Sequence, residues 1–434
     1  VAGNIAIVLT ARASWAKYET IIDALLRQVG RDDNGFDGHL LGGVTLYACG
    51  GALLTRYGAV VDVVRARFPG LPIVEVYTHF EGAPPITAAL SAASLTAQLA
   101  AAFDRDQPAL VVVMADRYEV LAAAQAAAYL NIPIAHIQGG EHTGSIDDKV
   151  RDAITHLADQ HYVATSQAMM RVYGLTGRYH TIHKVGCPSI DLAAQVAHDP
   201  PVTNEELSGS NGWTGNVNVE EGGEFVFCLQ HPDTTVWQDS YNQMNETLDA
   251  LWDSGSPVVM QWPNQDPGSE GVSKAIRQAK DNGMYLRTIR NLPPRRFLKL
   301  LTQAACVVGN SSAGIRECSY LGVPVVNIGG RQNGRERAGN VADCGYDSGR
   351  IAAAVHHQLS HGPYPASGLY GVGDAGARIA AALRAQATGD YLGGGAGLLS
   401  PVQPADRGGE SHVQQPVLGE RVPGLRDHSQ AGEA

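Results

Sequence analysis

Short apolar β-type runs alternate with longer helix-like runs along almost the whole of this 434-residue chain. Residues 109–114 (ALVVVM) form a continuous apolar run, the kind buried on both faces of a parallel sheet. Further strands are predicted at 5–10, 39–48, 72–77, 132–137 and 160–164. The helices between them fall at 15–29, 86–103, 118–130 and 147–158. Such β-α alternation predicts an α/β fold built on a doubly wound sheet. The pattern pauses at 198–223, a stretch rich in Pro, Gly, Asn and acid that reads as loop. It resumes with strands at 224–230, 257–262, 284–288, 305–308 and 323–328, and helices at 239–253, 270–281, 294–303 and 312–320. Two Rossmann-like halves facing a cleft are therefore expected, residues 1–190 and 191–373. A helix at 374–391 would cross back onto the first half, and a Gly- and Pro-rich tail at 392–434 would be disordered.

The charge of −11 argues against a nucleic-acid partner or an anionic membrane surface, either of which asks for a basic footprint. Any phosphate site must then be a local concentration of arginine and backbone N–H. Cys49, Cys187, Cys228, Cys306, Cys318 and Cys344 form no CxxC pair and read as reduced thiols of a cytoplasmic protein. No apolar run is expected to reach the length that crosses a bilayer.

The segment Gly309-Asn310-Ser311-Ser312-Ala313-Gly314-Ile315-Arg316-Glu317-Cys318 follows an apolar strand and leads into a helix. Free N–H groups at such a junction favour an anion, usually a phosphate. Arg331, Arg335 and Arg337 follow the next strand, where the alternatives are a phosphate role and a solvated charge run. Ligands of open α/β sheets sit beyond the carboxyl ends of the strands. Arg12, Asp116-Arg117, Gln138-Gly139-Gly140-Glu141, His231 and Asn264 to Ser269 all occupy such ends. Asp116 reads either as a helix cap or as an acid in the cleft. Asp147 and Asp148 open a helix, where acids are favoured, and Arg151 is spaced to pair with Asp147. His142 fits no zinc spacing. His231 ends a buried strand before Pro232, a suitable position for a general acid or base.

The motifs ADRYEVLAAA, HIQGGEHTGSIDDKVRDAITHLAD, VGCPSIDL, LQHPDTT, PNQDPGS, GNSSAGIREC and LGVPVVNIGGRQNGRER resemble those of the hydrolysing UDP-N-acetylglucosamine 2-epimerases across roughly residues 4–390. The resemblance implies a GT-B arrangement, a homodimer, and no metal or other cofactor. It implies elimination of UDP to a 2-acetamidoglycal, then addition of water with inversion at C2 to give N-acetylmannosamine. Asp116, Glu141, Asp147, Arg151 and His231 match the catalytic positions. Arg12, Asn310, Ser311, Ser312, Arg331, Arg335 and Arg337 match residues near the diphosphate. Glu317 matches the acid on the ribose, and Asn264, Asp266 and Ser269 lie near the nucleotide. The base stays open between uridine and guanosine.

Two positions depart from the family pattern. Gln138 stands where a glutamate is usual, and Ser14 where the first strand–helix turn often carries an acid. An amide cannot accept or release a proton at neutral pH, so Gln138 would only orient the sugar. The expected activity is thus a hydrolysing 2-epimerase on UDP-N-acetylglucosamine or a close analogue. The alternatives are a diverged enzyme on another nucleotide-sugar and a silent nucleotide-sugar binder.

Overall fold

The structure, a computed structural model, describes residues 3–29, 43–55, 60–78, 80, 86–143, 146–208, 217–220, 224–233, 236–263, 268–290 and 292–388. Asn264, Asp266, the middle of the 198–223 loop and the 392–434 tail lie outside the described residues.

The first half runs β1 (Ile5–Leu9), α1 (Arg12–Val29), β2 (Val44–Cys49), α2 (Val60–Arg67), β3 (Ile73–Val76), α3 (Ile86–Asp106), β4 (Leu110–Met114), α4 (Tyr118–Tyr129), β5 (Ile134–Ile137), α5 (Ile146–Leu157), β6 (Gln160–Val163), α6 (Ser166–Thr176), β7 (Ile182–Lys184) and α7 (Pro188–Val196). Its sheet has the order β3-β2-β1-β4-β5-β6-β7, and every pair is parallel. β1 and β4 are buried at every residue, as a strand covered on both faces must be.

The second half runs α8 (Asn204–Ser208), β8 (Val226–Leu229), α9 (Ser240–Asp253), β9 (Val258–Gln261), α10 (Ser269–Asp281), β10 (Leu286–Ile289), α11 (Pro294–Gln303), β11 (Cys306–Gly309), α12 (Ser312–Ile315), α13 (Glu317–Leu321), β12 (Val325–Ile328), β13 (Val341–Cys344) and α14 (Ser348–His361). Its six strands are also all parallel, in the order β10-β9-β8-β11-β12-β13. Two core clusters, one around Phe225 and Phe227 and one around Met244 and Met260, cover its faces. The last helix, α15 (Ala375–Ala387), packs on the first half: Arg384 donates to the Leu25 carbonyl 2.9 Å away.

Three sequence expectations need correction. The 198–223 loop contains the short helix α8, whose Leu207 is buried in the core of the second half. The single helix expected at 312–320 is two, broken at Arg316. Contrary to the expectation for apolar runs, α3 is long and apolar enough to cross a membrane. Alanine supplies much of that hydropathy without bulk, and α3 buries Leu95, Leu99, Ala102 and Phe103 in the core of the first half.

Candidate functional site

In each sheet the strand order reverses beside the first strand of that half: between β1 and β4, and between β8 and β11. Helices leave to opposite faces there, which opens a crevice at the carboxyl ends of the strands. Arg12 follows β1, Asp116 follows β4, His231 follows β8, and Asn310 with Ser311 follows β11. These four groups of sequence-expected residues thus lie at the two switch points, while Gln138 and Glu141 follow the adjoining β5 and Arg331 to Arg337 follow β12.

Two non-glycine residues take left-handed backbone at these ends, Ala115 (φ 66°) and Gln138 (φ 64°). This conformation is costly for a side chain, and it persists only where surroundings enforce it. Both N–H groups are held by the neighbouring strand: Ala115 donates to Ile137 O (2.9 Å) and Gln138 to Tyr162 O (2.8 Å). The turn carries Asp116 out of the sheet. Asp116 does not cap α4, whose cap position is Arg117; it accepts a hydrogen bond from the Arg151 guanidinium instead.

Arg151 is 1% exposed and forms the hub of the first half. Its Nη1 donates to Asp148 Oδ1 (2.7 Å) and to the Glu141 carbonyl, and its Nη2 to Asp116. Asp148 Oδ1 also accepts from Thr143 N (2.8 Å) and Thr143 Oγ1 (2.9 Å), while its Oδ2 pairs with His142 Nδ1 at 2.7 Å. The expected Arg151–Asp147 pair is therefore replaced by Arg151–Asp148. One turn of α5 presents both acids near Arg151, but Thr143 and His142 pin Asp148, and Asp147 stays exposed. Burial raises the Asp116 pKa, but the positive charges of Arg151 and Arg335 outweigh it and leave the carboxyl below its ordinary value.

Glu141 links the halves. Its Oε2 accepts from Arg316 Nη2 and from Arg335 Nε (2.9 Å), both on the second half. Burial alone would raise its pKa; Arg316, Arg335 and Arg151 override it and hold the carboxyl far below the usual range. The carboxylate is thus ionised in this arrangement and ties Arg316 to Arg335. Its Oε1 is buried with no hydrogen-bond partner among the described residues. Nearby, a Cβ on Gly334 (φ 83°) would lie 2.4 Å from the His142 ring, so only glycine allows this approach between the halves. Arg12 adds a further tie: its Nη2 donates to Leu292 O at 2.6 Å, and burial pulls its pKa down to about 10.

On the second half, a Cβ on Gly309 would lie 2.1 Å from Leu229 O, so β8 and β11 close on glycine. Asn310 is fully buried and spends its side chain on His231: its Oδ1 accepts from His231 N (2.7 Å) and its Nδ2 donates to His231 O (2.8 Å). It positions the histidine backbone, and its own carbonyl accepts from Gln332 Nε2 (2.8 Å). His231 is 7% exposed; burial, and then Arg331, push its pKa well down, so the ring is neutral at pH 7. Ser311 caps α12, accepting from Ala313 N (3.3 Å), and Ser312 opens that helix. With four residues, α12 has only a small dipole, so charge for an anion must come from arginines. Arg331 sits 3.5 Å from Asn310 O. Arg337 donates to Gln332 O (2.7 Å), to Arg335 O and to Asp343, contacts that brace its own loop. Glu317 is 9% exposed, and its Oε2 is buried without a hydrogen-bond partner among the described residues. Ser269 opens α10 beside the undescribed residues 264–267.

Three participants escape the sequence reading besides Asp148. Lys17 Nζ donates to Gln138 Oε1 at 2.9 Å, and Gln138 Nε2 donates to Cys187 Sγ at 2.8 Å. Arg316, 3% exposed, holds Glu141. A lysine between the buried Trp15 and Tyr18 of α1, and an arginine beside the buried Ile315, were the available signals. Among the described residues no group of three His, Cys, Asp or Glu side chains is arranged to hold a metal ion.

The family model described as UDP-N-acetylglucosamine 2-epimerase matches residues 45–384. The chain is 30% identical over 271 residues (62% of this chain, 69% of the relative) to the UDP-N,N'-diacetylbacillosamine 2-epimerase (hydrolyzing) of Legionella pneumophila. It is 31% identical over 272 residues (62% and 69%) to the UDP-N-acetylglucosamine 2-epimerase of Neisseria meningitidis. Among solved structures, that of the Methanocaldococcus jannaschii UDP-GlcNAc 2-epimerase in complex with UDP-GlcNAc and UDP superposes with a TM-score of 0.69 at 17% identity, covering 88% of this chain and 99% of that one. The two facing parallel sheets are thus a GT-B fold. With charged strand ends meeting at both switch points and the family match running over most of the chain, this protein belongs to the UDP-N-acetylglucosamine 2-epimerase family.

Proposed function

We propose that this chain is a hydrolysing 2-epimerase that converts UDP-N-acetylglucosamine, or a close N-acetylated UDP-sugar, into UDP and the C2-inverted free sugar. The observation that carries this reading is the charged network spanning the two switch points, Asp116 to Arg151 to Glu141 to Arg316 and Arg335. Arg335 also donates to Gln332, whose Nε2 donates to the carbonyl of Asn310, the residue that holds His231. Arg12, Ser311, Ser312, Arg331 and Arg335 would surround the diphosphate, with Asn264, Asp266 and Ser269 close to the nucleotide. The unpartnered Glu317 Oε2 suits a ribose hydroxyl, because a buried carboxylate oxygen without a donor is costly until a ligand supplies one. Asp116 and the neutral His231 would take the C2 proton as UDP leaves C1, and Asp147 on the exposed first turn of α5 would assist. Glu141 would fix the arginines of both halves, and its free Oε1 would accept a donor from the sugar.

A second reading, a diverged enzyme acting on another nucleotide-sugar, is favoured by the neutral Gln138 at the sugar side. Incubation with UDP-N-acetylglucosamine in deuterated water, followed by proton NMR, separates the two. N-acetylmannosamine carrying deuterium at C2, together with UDP, is the expected result; UDP with a retained C2 proton would mean simple hydrolysis and defeat the epimerase reading. A cytoplasmic homodimer accompanies the proposal: the six cysteines are free thiols, and Ile86 and Leu90 of α3 are exposed apolar residues available to a second copy. Light scattering on the purified chain tests the dimer.

A further inference from the structure

Lys17 is the cation in the cleft to which no role has been given. It projects from the second turn of α1, below the β1 switch point, and is partly exposed. Among the described residues its Nζ makes one hydrogen bond, to the neutral Gln138 Oε1 (2.9 Å), and no ion pair. Of the carboxylates that act on it, Glu141 is paired with Arg316 and Arg335, while Glu317 keeps an Oε2 with no hydrogen-bond partner among the described residues. Gln138 cannot turn to offer a better acceptor, because its Nε2 is held by Cys187 Sγ and its backbone by Tyr162 O. An ammonium has three donors, so Lys17 keeps N–H groups for a ligand. Burial and the neighbouring Arg316 both lower its pKa; Cys187, Glu317 and Glu141 oppose them without cancelling the effect.

We propose that Lys17 is a further catalytic residue: it is the general acid that protonates C2 of the enzyme-held glycal. This rests on the elimination and rehydration reading above. The glycal is an electron-rich enol ether, and a proton added at C2 leaves positive charge at C1, where water attacks. The Lys17 ammonium gives its proton to C2 as the double-bond electrons form the new C–H bond. Water oxygen bonds C1, and the proton that water loses returns to the Lys17 amine. The proton first taken from C2 by Asp116 or His231 leaves to solvent with UDP. Substrate and water thus give free sugar, UDP and one proton, and the lysine is regenerated as ammonium. An ammonium hydrogen-bonded to an amide and forming no ion pair is a stronger acid than one paired with a carboxylate, which makes the neutral Gln138 an asset to this step.

The test uses the full chain and three measurements on the wild type, Lys17→Arg and Lys17→Met: UDP affinity by calorimetry, UDP release from UDP-N-acetylglucosamine, and hydration of synthetic 2-acetamidoglucal in the presence of UDP. Both variants are expected to bind UDP and release it from the nucleotide-sugar. Both should lose roughly 10²-fold in glycal hydration, so that free glycal accumulates. Arginine keeps the charge but not a transferable proton, so wild-type hydration by Lys17→Arg would overturn the proposal. So would equal losses of UDP affinity and turnover in both variants, which would make Lys17 a phosphate anchor. If wild-type enzyme releases UDP but neither forms nor hydrates the glycal, the parent reading fails, and the proposal with it.

Discussion

Gln138 shows how one atom can set the chemistry of this site. Its backbone is left-handed, its Oε1 holds Lys17 and its Nε2 holds Cys187, so the amide is fixed at both ends. Gln138→Glu keeps the shape and places a carboxylate about 3 Å from the Lys17 ammonium. An opposite charge at that distance raises a lysine pKa by ~1–3 units. The alkaline limb of the pH profile for glycal hydration should therefore move up by about one pH unit or more. An unmoved profile would show that the pair does not titrate during turnover. The identity of Gln138 as a departure was legible in the chain, but its partners were not. Lys17 lies 121 positions away and Cys187 49, and neither separation leaves a periodic trace. Asp148 illustrates the same limit at shorter range. Spacing allowed Arg151 either acid of the pair, and the choice was made by Thr143 and His142, which the helix pattern does not encode.

At the scale of elements, buried strands were the most legible, because β4 and β8 are apolar at every position and need no partner to be recognised. Short or irregular elements were not. α8 depends on Leu207 entering a core formed by distant strands, and the break at Arg316 depends on the ion pair that draws its guanidinium to Glu141. α15 is held by a device invisible in periodicity. Asp191 of α7 accepts from Ala375 N (2.9 Å) and Gly376 N (2.6 Å), the first two N–H groups of that helix. Burial lifts the Asp191 pKa to about 6 while the two N–H groups pull the other way. Asp191→Ala removes both acceptors from buried donors and should cost about 2 kcal/mol. Amides of the first turn of α15 should then exchange faster in hydrogen–deuterium exchange, while those of β8 to β12 stay protected. Unchanged protection of 375–380 would show that packing against α1 alone holds the helix.

Considered as a whole molecule, the chain stores a cluster of uncharged histidines in its first sheet. His136 and His161 are in register on β5 and β6, and both are fully buried. His136 bonds to Ala115 O through Nε2 and to Thr155 through Nδ1; His161 has neither ring nitrogen hydrogen-bonded among the described residues. Burial takes their pKa values down to about 4 and about 3, and that of His183 on β7 to about 4. In the unfolded chain these groups titrate near 6.5. As pH falls below that value the unfolded state binds protons that the folded state refuses, so the histidine contribution is complete above about pH 6.5 and declines toward pH 4. Each fully buried histidine removes up to about 1.4 kcal/mol per pH unit in that window. Asp191 opposes one of them, because its raised pKa makes the folded state bind more protons between about pH 4 and 6. The carboxyls held down by arginine, Asp116 and Glu141, contribute only below the ordinary carboxylate range, so they do not shape this window. Urea midpoints measured from pH 7.5 to 4.5 should therefore fall steadily from about pH 6.5. In His161→Leu the descent should be shallower by the share of one histidine, because the leucine fills the same strand position without binding a proton. Parallel descents in wild type and variant would mean that His161 is protonated or solvated in the folded protein, and that the acid sensitivity arises elsewhere.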